Sequence, residues 1–489
     1  MTTDYDVIVI GGGAGGLSAA GIATNLGAKT TMIERDALGG DCTWTGCVPS
    51  KTLLKAAKVV HQAQTASEYG LTDQPVEVDF AGVMEHVREV RQDVYEEADA
   101  PEIFEDLEID VRSGDAHFID ANTVAVARDD GSTEQITGRY IIIATGADPL
   151  DPPIDGLGEI NCLTNETLFE LEEQPDRLGI VGAGPIGTEM AQAFTRLGSD
   201  VTVLEMTDHI LANDDPELAA MLRDLLEDEG IRYMMESTVD QVTEEGDSIV
   251  IDTTEEAASA EVDALLLAAG RAPNVDGLNL EAAGVDYSKK GVTVNDRCRT
   301  SQGHIYAVGD VTGRYQFTHM SNHMAKVAIT NALLKVPSTI DADHVPWVTY
   351  TDPELAHVGA HASDLDDEGV SYETYRFPYD KLDRAITEGA TDGLIKVHAK
   401  SWNGKILGAS VLGGRAGELI TSFTLAMRNG VTLRNIGDTI HPYPAWGEGV
   451  RRVADQWYVQ KQSSTFTKVL QTVFGYRGPV LEYGPDEIV

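Results

Sequence analysis

The stretch GGDCTWTGCVPSK, residues 39–51, sets Cys42 and Cys47 five positions apart in a chain with only four cysteines. Such a pair serves a structural disulfide, a metal site, or a dithiol that cycles between reduced and oxidised forms. A tetrahedral zinc site needs four ligands, and the other two cysteines, Cys162 and Cys298, stand alone without histidine at ligand spacing. These two are expected as small core residues, and no metal site is expected. Pro49 opens the segment SKTLLKAAKVVHQAQ, where proline suits the first turn of a helix. Both thiols therefore fall near a helix N-terminus, which favours thiolate. An undistorted helix holds residues five apart too far for a disulfide, whereas a loop-to-helix junction brings them within bonding range.

Two glycine patterns flank this segment's chemistry. In DYDVIVIGGGAGGLSAAGIATNLG, a strand runs into Gly11, Gly13 and Gly16 and then a helix, and Glu34 closes the next strand eighteen residues after Gly16. The glycines let backbone approach a pyrophosphate at the helix N-terminus, and the acid holds ribose hydroxyls. The pattern recurs in RLGIVGAGPIGTEMAQAFTRLGSDVTVLEM, with Gly182, Gly184, Gly187 and, again eighteen residues on, Glu205. Two fingerprints imply two dinucleotides, FAD at the first and a nicotinamide at the second. Glu205 suits a free 2′-hydroxyl and repels a 2′-phosphate, and Met206 to His209 include no arginine, so the local pattern favours NADH.

The elements that must position these groups follow from periodicity. The strands YIIIATG (140–146) and HIYAVGD (304–310) return to the first nucleotide unit, and after residue 340 alternating segments and two amphipathic helices indicate a separate α+β domain. The expected class is α/β, with an FAD-binding domain at 1–150 and 271–340, an NAD(P)-binding domain at 151–270, and an α+β dimerisation domain at 341–489. Lys and Arg number 36 against 80 Asp and Glu, giving a formal charge of -44. That surface repels nucleic acid and anionic membranes. Scattered rather than collected in a tail, the acids read as a solvated coat suited to molar salt, where screening lengths shrink to about 3 Å, and a halophilic source is the expectation. With no signal-peptide pattern at the start and no run of apolar residues long enough to span a bilayer, the protein is expected in the cytoplasm, where a close Cys pair is catalytic rather than a staple.

In combination, GGDCTWTGCVPSK, GAGPIGTE, AAGRAPN (268–274), AVGD and TDPELAHVG resemble the pyridine nucleotide disulfide oxidoreductases across nearly the whole chain. The resemblance implies a homodimeric flavoenzyme in which nicotinamide hydride reaches a Cys42–Cys47 disulfide through FAD. It implies Cys42 as the interchange thiol, Cys47 facing the flavin, Lys51 paired with Glu189 beside it, and Gly40, Thr145, Gly146, Gly270, Arg271 and Asp310 among the cofactor-contacting residues.

The chain also departs from that pattern. The proton donor of glutathione and lipoamide enzymes lies in a His-Pro-Thr-x-x-Glu motif of the partner subunit, but here HPYPAWGEG puts Tyr443 five before Glu448 and His441 two earlier. Either Tyr443 or His441 is the expected acid, oriented by Glu448, and both X-Pro bonds are candidates for the cis form. The segment FGYRGPVLEYGPDEIV lacks the cysteine pair of mercuric reductases, and Gly21 and Ile22 stand where glutathione reductases carry arginines. His319 and His323, four apart on one helix, are expected to line the site or pack. An acidic member of this family without the glutathione-type arginines resembles the reductases of bis-γ-glutamylcystine, which is the expected substrate, with dihydrolipoamide dehydrogenase or a mercuric-reductase-like enzyme lacking the C-terminal cysteine pair as the alternative. That substrate implies NADPH, against the preference of Glu205, so the coenzyme is written NAD(P)H.

Overall fold

The computed structural model describes residues 3–72, 76–254, 259–461 and 464–480. The chain divides into two compact units, Met1–Met206 with Ile231–Ile340, and Thr207–Gly230 with Asp341–Val489.

In the first unit, β1 (Tyr5–Ile10) and β2 (Thr30–Glu34) are joined through α1 (Ala14–Asn25) and pair in parallel. Val7, Ile8 and Val9 are fully buried, as expected of a strand covered on both faces. The sheet runs Asp110–Ser113, β2, β1, Thr133–Ile143, with Ile305–Ala307 pairing in parallel with the last strand. Strand order reverses beside β1, so the turn after β1 opens at the carboxyl edge where such sheets bind ligands. A second parallel sheet repeats the design with Arg232–Met234, Asp200–Leu204, Arg177–Val181 and Ala264–Leu267. Its helix Pro185–Leu197 packs against α3 (Cys47–Gln64), and Phe194 on that helix meets Phe80 at 6.0 Å with the rings tilted by 48°.

The second unit carries a five-stranded antiparallel sheet, Pro346–Thr349, Glu354–Gly359, Ile406–Gly413, Leu394–Ala399 and Glu373–Pro378. The helices Ala416–Arg428 and Glu448–Lys461 seal its core around Phe423, Val411 and Val453. Residues 207–230 group here although their helix, Pro216–Asp228, connects two strands of the second parallel sheet. Asp215 caps that helix through Glu217 N and Leu218 N, and its carboxylate pairs with Lys396 of the antiparallel sheet at 2.8 Å. No helix among the described residues is long and apolar enough to cross a membrane.

Candidate active site

Both glycine turns are dictated by sterics. Gly11 and Gly182 each have φ +102°, and a Cβ would stand 2.4 Å from Ala144 O in one case and 2.6 Å from Ala268 O in the other. A Cβ on Gly16 or Gly187 would approach the carbonyl of Gly11 or Gly182 to 1.9 Å. Only glycine fits. Each acid at the end of the following strand braces its turn: Gly12 N donates to Glu34 Oε2 at 2.6 Å, and Ala183 N donates to Glu205 Oε2 at 2.7 Å. No side chain caps either helix at Gly13 or Gly184, so their first N–H groups face outward, the arrangement that receives a pyrophosphate.

The cysteine segment is pinned to the first turn. Gly39 N donates to Gly12 O at 3.0 Å, and a Cβ on Gly40 would lie 2.7 Å from Gly13 Cα. A short helix α2 (Gly40–Trp44) ends at Thr45, and α3 starts afresh at Cys47. The break folds Cys47 back toward Cys42, and both thiols are free. Their hydrogen bond splits one proton unevenly. It pulls Cys47 down to about 6, helped by Thr318 and Lys51, and with burial it pushes Cys42 well above the usual thiol range. Both cysteines fall near helix starts, as expected, Cys42 within α2 and Cys47 at N1 of α3, and of the two it is Cys47 whose pKa is lowered, first by the hydrogen bond from Cys42. Thr318 Oγ1, at the start of the helix Thr318–Ile329, is 3.4 Å from Cys47 Sγ.

One turn along α3, Lys51 Nζ meets Glu189 Oε2 at 2.7 Å, and Glu189 is buried. On the other side of the cysteine segment, Arg271 Nη1 pairs with Asp41 Oδ2 at 2.8 Å, and its Nε lies 3.8 Å from Asp310 Oδ2. Burial raises the Asp310 carboxyl to about 6, with Arg271 opposing and Asp41 adding to the rise. Asn165 Nδ2 donates to Asp41 Oδ1 at 3.0 Å. Thr145 Oγ1 donates to Asn274 O at 2.8 Å, between the positive-φ residues Gly146 and Gly270, so AATG-like and AGRAPN segments are stitched together around Arg271.

The carboxyl-terminal candidates belong to the second unit. Tyr443, 67% exposed, donates its hydroxyl to Asp383 Oδ2 at 2.6 Å, which raises its pKa. His441 Nε2 is buried without a partner among the described residues. Glu448 accepts from Arg451 Nε at 3.2 Å and lies 3.4 Å from Arg452 Nε; it hydrogen-bonds to neither Tyr443 nor His441. Within this chain the Glu448 carboxylate is taken up by two arginines of its own helix. Of the two X-Pro bonds, Tyr443–Pro444 is cis and His441–Pro442 is trans.

Residues 5–325 match the pyridine nucleotide-disulphide oxidoreductase family and residues 345–454 match that family's dimerisation domain. A mercuric reductase from Lysinibacillus sphaericus is 35% identical over 458 residues, covering 92% of this chain and 82% of that protein. A dihydrolipoyl dehydrogenase from Geobacillus stearothermophilus is 32% identical over 463 residues, covering 92% and 96%. Among solved structures, the HOCl-induced flavoprotein disulfide reductase RclA from Escherichia coli aligns with TM-score 0.83 and 28% identity, over 92% of this chain and 99% of that one. The chain belongs to the pyridine nucleotide-disulphide oxidoreductases.

This oxidoreductase family uses FAD and NAD(P)H, and the residues present fit both groups. Each turn offers uncapped helix N–H groups, close-packed glycines and an acid whose oxygens keep a spare lone pair for a ribose hydroxyl. FAD, when bound, supplies the two-electron chemistry that links the nicotinamide to the dithiol. The protein's part is to hold Cys47 charged, Cys42 protonated and Lys51 in place by Glu189. Sequence reading overlooked Asp41, Asn165 and Thr318. Asp41 stood inside the quoted cysteine motif as an acid beside a thiol, a signal that was available, whereas Thr318 was passed over for its neighbour His319, whose ring stacks on Phe317 at 5.3 Å.

Proposed function

We propose that this flavoenzyme reduces a low-molecular-weight disulfide, bis-γ-glutamylcystine, with NAD(P)H, acting as a homodimer through Cys42 and Cys47. The observation that carries the reading is the asymmetric thiol pair: Cys47 is held as thiolate at about 6 by Cys42, Thr318 and Lys51, while Cys42 keeps its proton. Once Cys42 loses that proton to a base, its thiolate attacks one sulfur of the substrate. A Cys42–substrate disulfide forms and the first thiolate leaves, taking a proton from the acid at Tyr443 or His441. Cys47 thiolate then attacks the Cys42 sulfur, closing the Cys42–Cys47 disulfide and expelling the second product as thiolate, which takes up the proton that Cys42 gave to the base. The net change on the substrate is two electrons and two protons, the electrons having come from NAD(P)H.

The substrate choice is supported by the acidic, salt-adapted composition and by Gly21 and Ile22 in place of arginines. A homodimer is supported by the match to the dimerisation domain. The names of the relatives supply the alternatives, oxidation of dihydrolipoamide and reduction of mercuric ion at the same thiol pair.

The test is the steady-state oxidation of NADPH and NADH by the purified protein in molar salt, with bis-γ-glutamylcystine, lipoamide and mercuric ion as oxidants. Fastest turnover with bis-γ-glutamylcystine supports the proposal; fastest turnover with lipoamide or mercuric ion overturns it in favour of that reading. Cys42→Ser should abolish disulfide turnover with FAD retained. Tyr443→Phe and His441→Gln, made separately, identify the acid by a loss of about two to four orders of magnitude.

A further inference from the structure

In the first unit, Arg297, Arg299, Tyr306, Asn331, Lys335 and Pro337 line a cavity of about 180 Å³. Its charge runs against the rest of the molecule. The chain has 80 acidic and 36 basic residues, and many arginines find carboxylates, as Arg112 does with Asp110 at 2.7 Å and Arg451 with Asp455 at 2.6 Å. Arg297, Arg299 and Lys335 form no ion pair among the described residues. In a protein so rich in acids, three cations lining one pocket make a local positive patch on an acidic surface.

The backbone is bent to gather them. Cys298, between the two arginines, has φ +59° with its side chain fully buried. Lys335 has φ +58° after the turn Thr330–Leu334, where glycine is the residue that fits. Its ammonium folds back to donate to Tyr140 Oη and to Ala332 O, leaving a third donor. Asn331 fixes the same loop, donating to Val327 O at 2.8 Å and Ser338 O at 2.7 Å. Arg299 is bridged to Tyr306 through the backbone, and both arginines bear electrostatically on the Tyr306 hydroxyl.

Arg297, Arg299 and Lys335 are exposed and the pocket they line opens to solvent, so two guanidinium forks and one ammonium stand where the oxygens of a phosphate can reach them. With a water occupying about 30 Å³, the space admits one or two phosphate groups and excludes a dinucleotide. We propose that this cavity binds a small phosphate-class anion, inorganic pyrophosphate or a short phosphoester, at a site separate from the two glycine turns and the thiol pair.

Pyrophosphate titrated calorimetrically into the full-length, FAD-loaded protein tests this, at the lowest potassium chloride concentration that leaves its circular dichroism unchanged. Saturable binding is expected, weakened about tenfold or more in the Arg297→Gln/Arg299→Gln double variant, since two charge-assisted pairs are lost. Disulfide turnover of that variant should match the parent. Lys335→Gly places glycine where the backbone prefers it and removes one charge, so it should weaken binding without lowering the melting temperature, and it serves if the double variant does not fold. Unaltered affinity in both variants, or pyrophosphate binding no tighter than sulfate, overturns the proposal.

Discussion

The two glycine turns share their inner geometry and differ at the second glycine. Gly11 and Gly182 have the same φ, and Gly16 and Gly187 lie equally close to the carbonyl behind them. A Cβ on Gly13 would meet only Gly40 Cα, at 3.8 Å, but the cysteine segment lies against this turn: Gly39 bridges to Gly13, and a Cβ on Gly40 would stand 2.7 Å from Gly13 Cα. Around Gly184 a Cβ would meet nothing within 4 Å. The shared part answers a shared need, close approach of backbone to a pyrophosphate. The difference separates a turn built into the wall of the redox segment from one left open, as suits a resident cofactor on one side and an exchangeable coenzyme on the other.

The sharpest test of the comparison replaces the shared glycines. Gly16→Ala should yield protein without flavin absorbance, while Gly187→Ala should keep its flavin and lose NAD(P)H-dependent reduction of it; loss of flavin in both variants would break the division between the turns. Next in size, Gly40→Ala should release FAD and lower disulfide turnover together, whereas Gly184→Ala, whose Cβ would project where the backbone meets the pyrophosphate, should raise the coenzyme KM with FAD retained. Glu205→Ala should move the NADPH-to-NADH specificity ratio toward NADPH, by removing the carboxylate that repels a 2′-phosphate, and the same change at Glu34 should leave that ratio alone.

The smallest effect concerns the link between the two turns, since Lys51 follows the first segment and Glu189 lies on the helix after the second. Lys51 is one of the groups that lowers Cys47. Lys51→Met should therefore raise the Cys47 pKa above about 6, so that alkylation of the reduced enzyme by iodoacetamide rises with pH through a later midpoint than in the parent. A midpoint unchanged in Lys51→Met would leave Cys42 and Thr318 as the sole stabilisers.

Much of the site was legible because its signals are short in sequence. A strand that buries both faces, a glycine where a Cβ would strike a carbonyl and an acid eighteen residues on are local necessities, and both turns appear where they were expected. The helix SKTLLKAAKVVHQAQ and the antiparallel strands after residue 340 appear for the same reason. The pairing of Lys51 with Glu189 came from resemblance, not from periodicity, and the packing of α3 on the helix Pro185–Leu197 is what brings them to 2.7 Å. What sequence reading missed was set by remote partners: Asn165 donates to Asp41 across 124 positions, and Thr318 meets Cys47 across 271.

The sequence by itself determined two dinucleotide turns, a dithiol between them and an acidic surface, because each is encoded in residue type and spacing within one or two elements. Which sulfur carries the charge was decided only by the tertiary structure, where the break between α2 and α3 lets Cys42 donate to Cys47 and the helix at Thr318 adds a second hydrogen bond. A thiol's pKa depends on donors and charges within a few ångströms, and folding supplies those from parts of the chain that no local pattern connects.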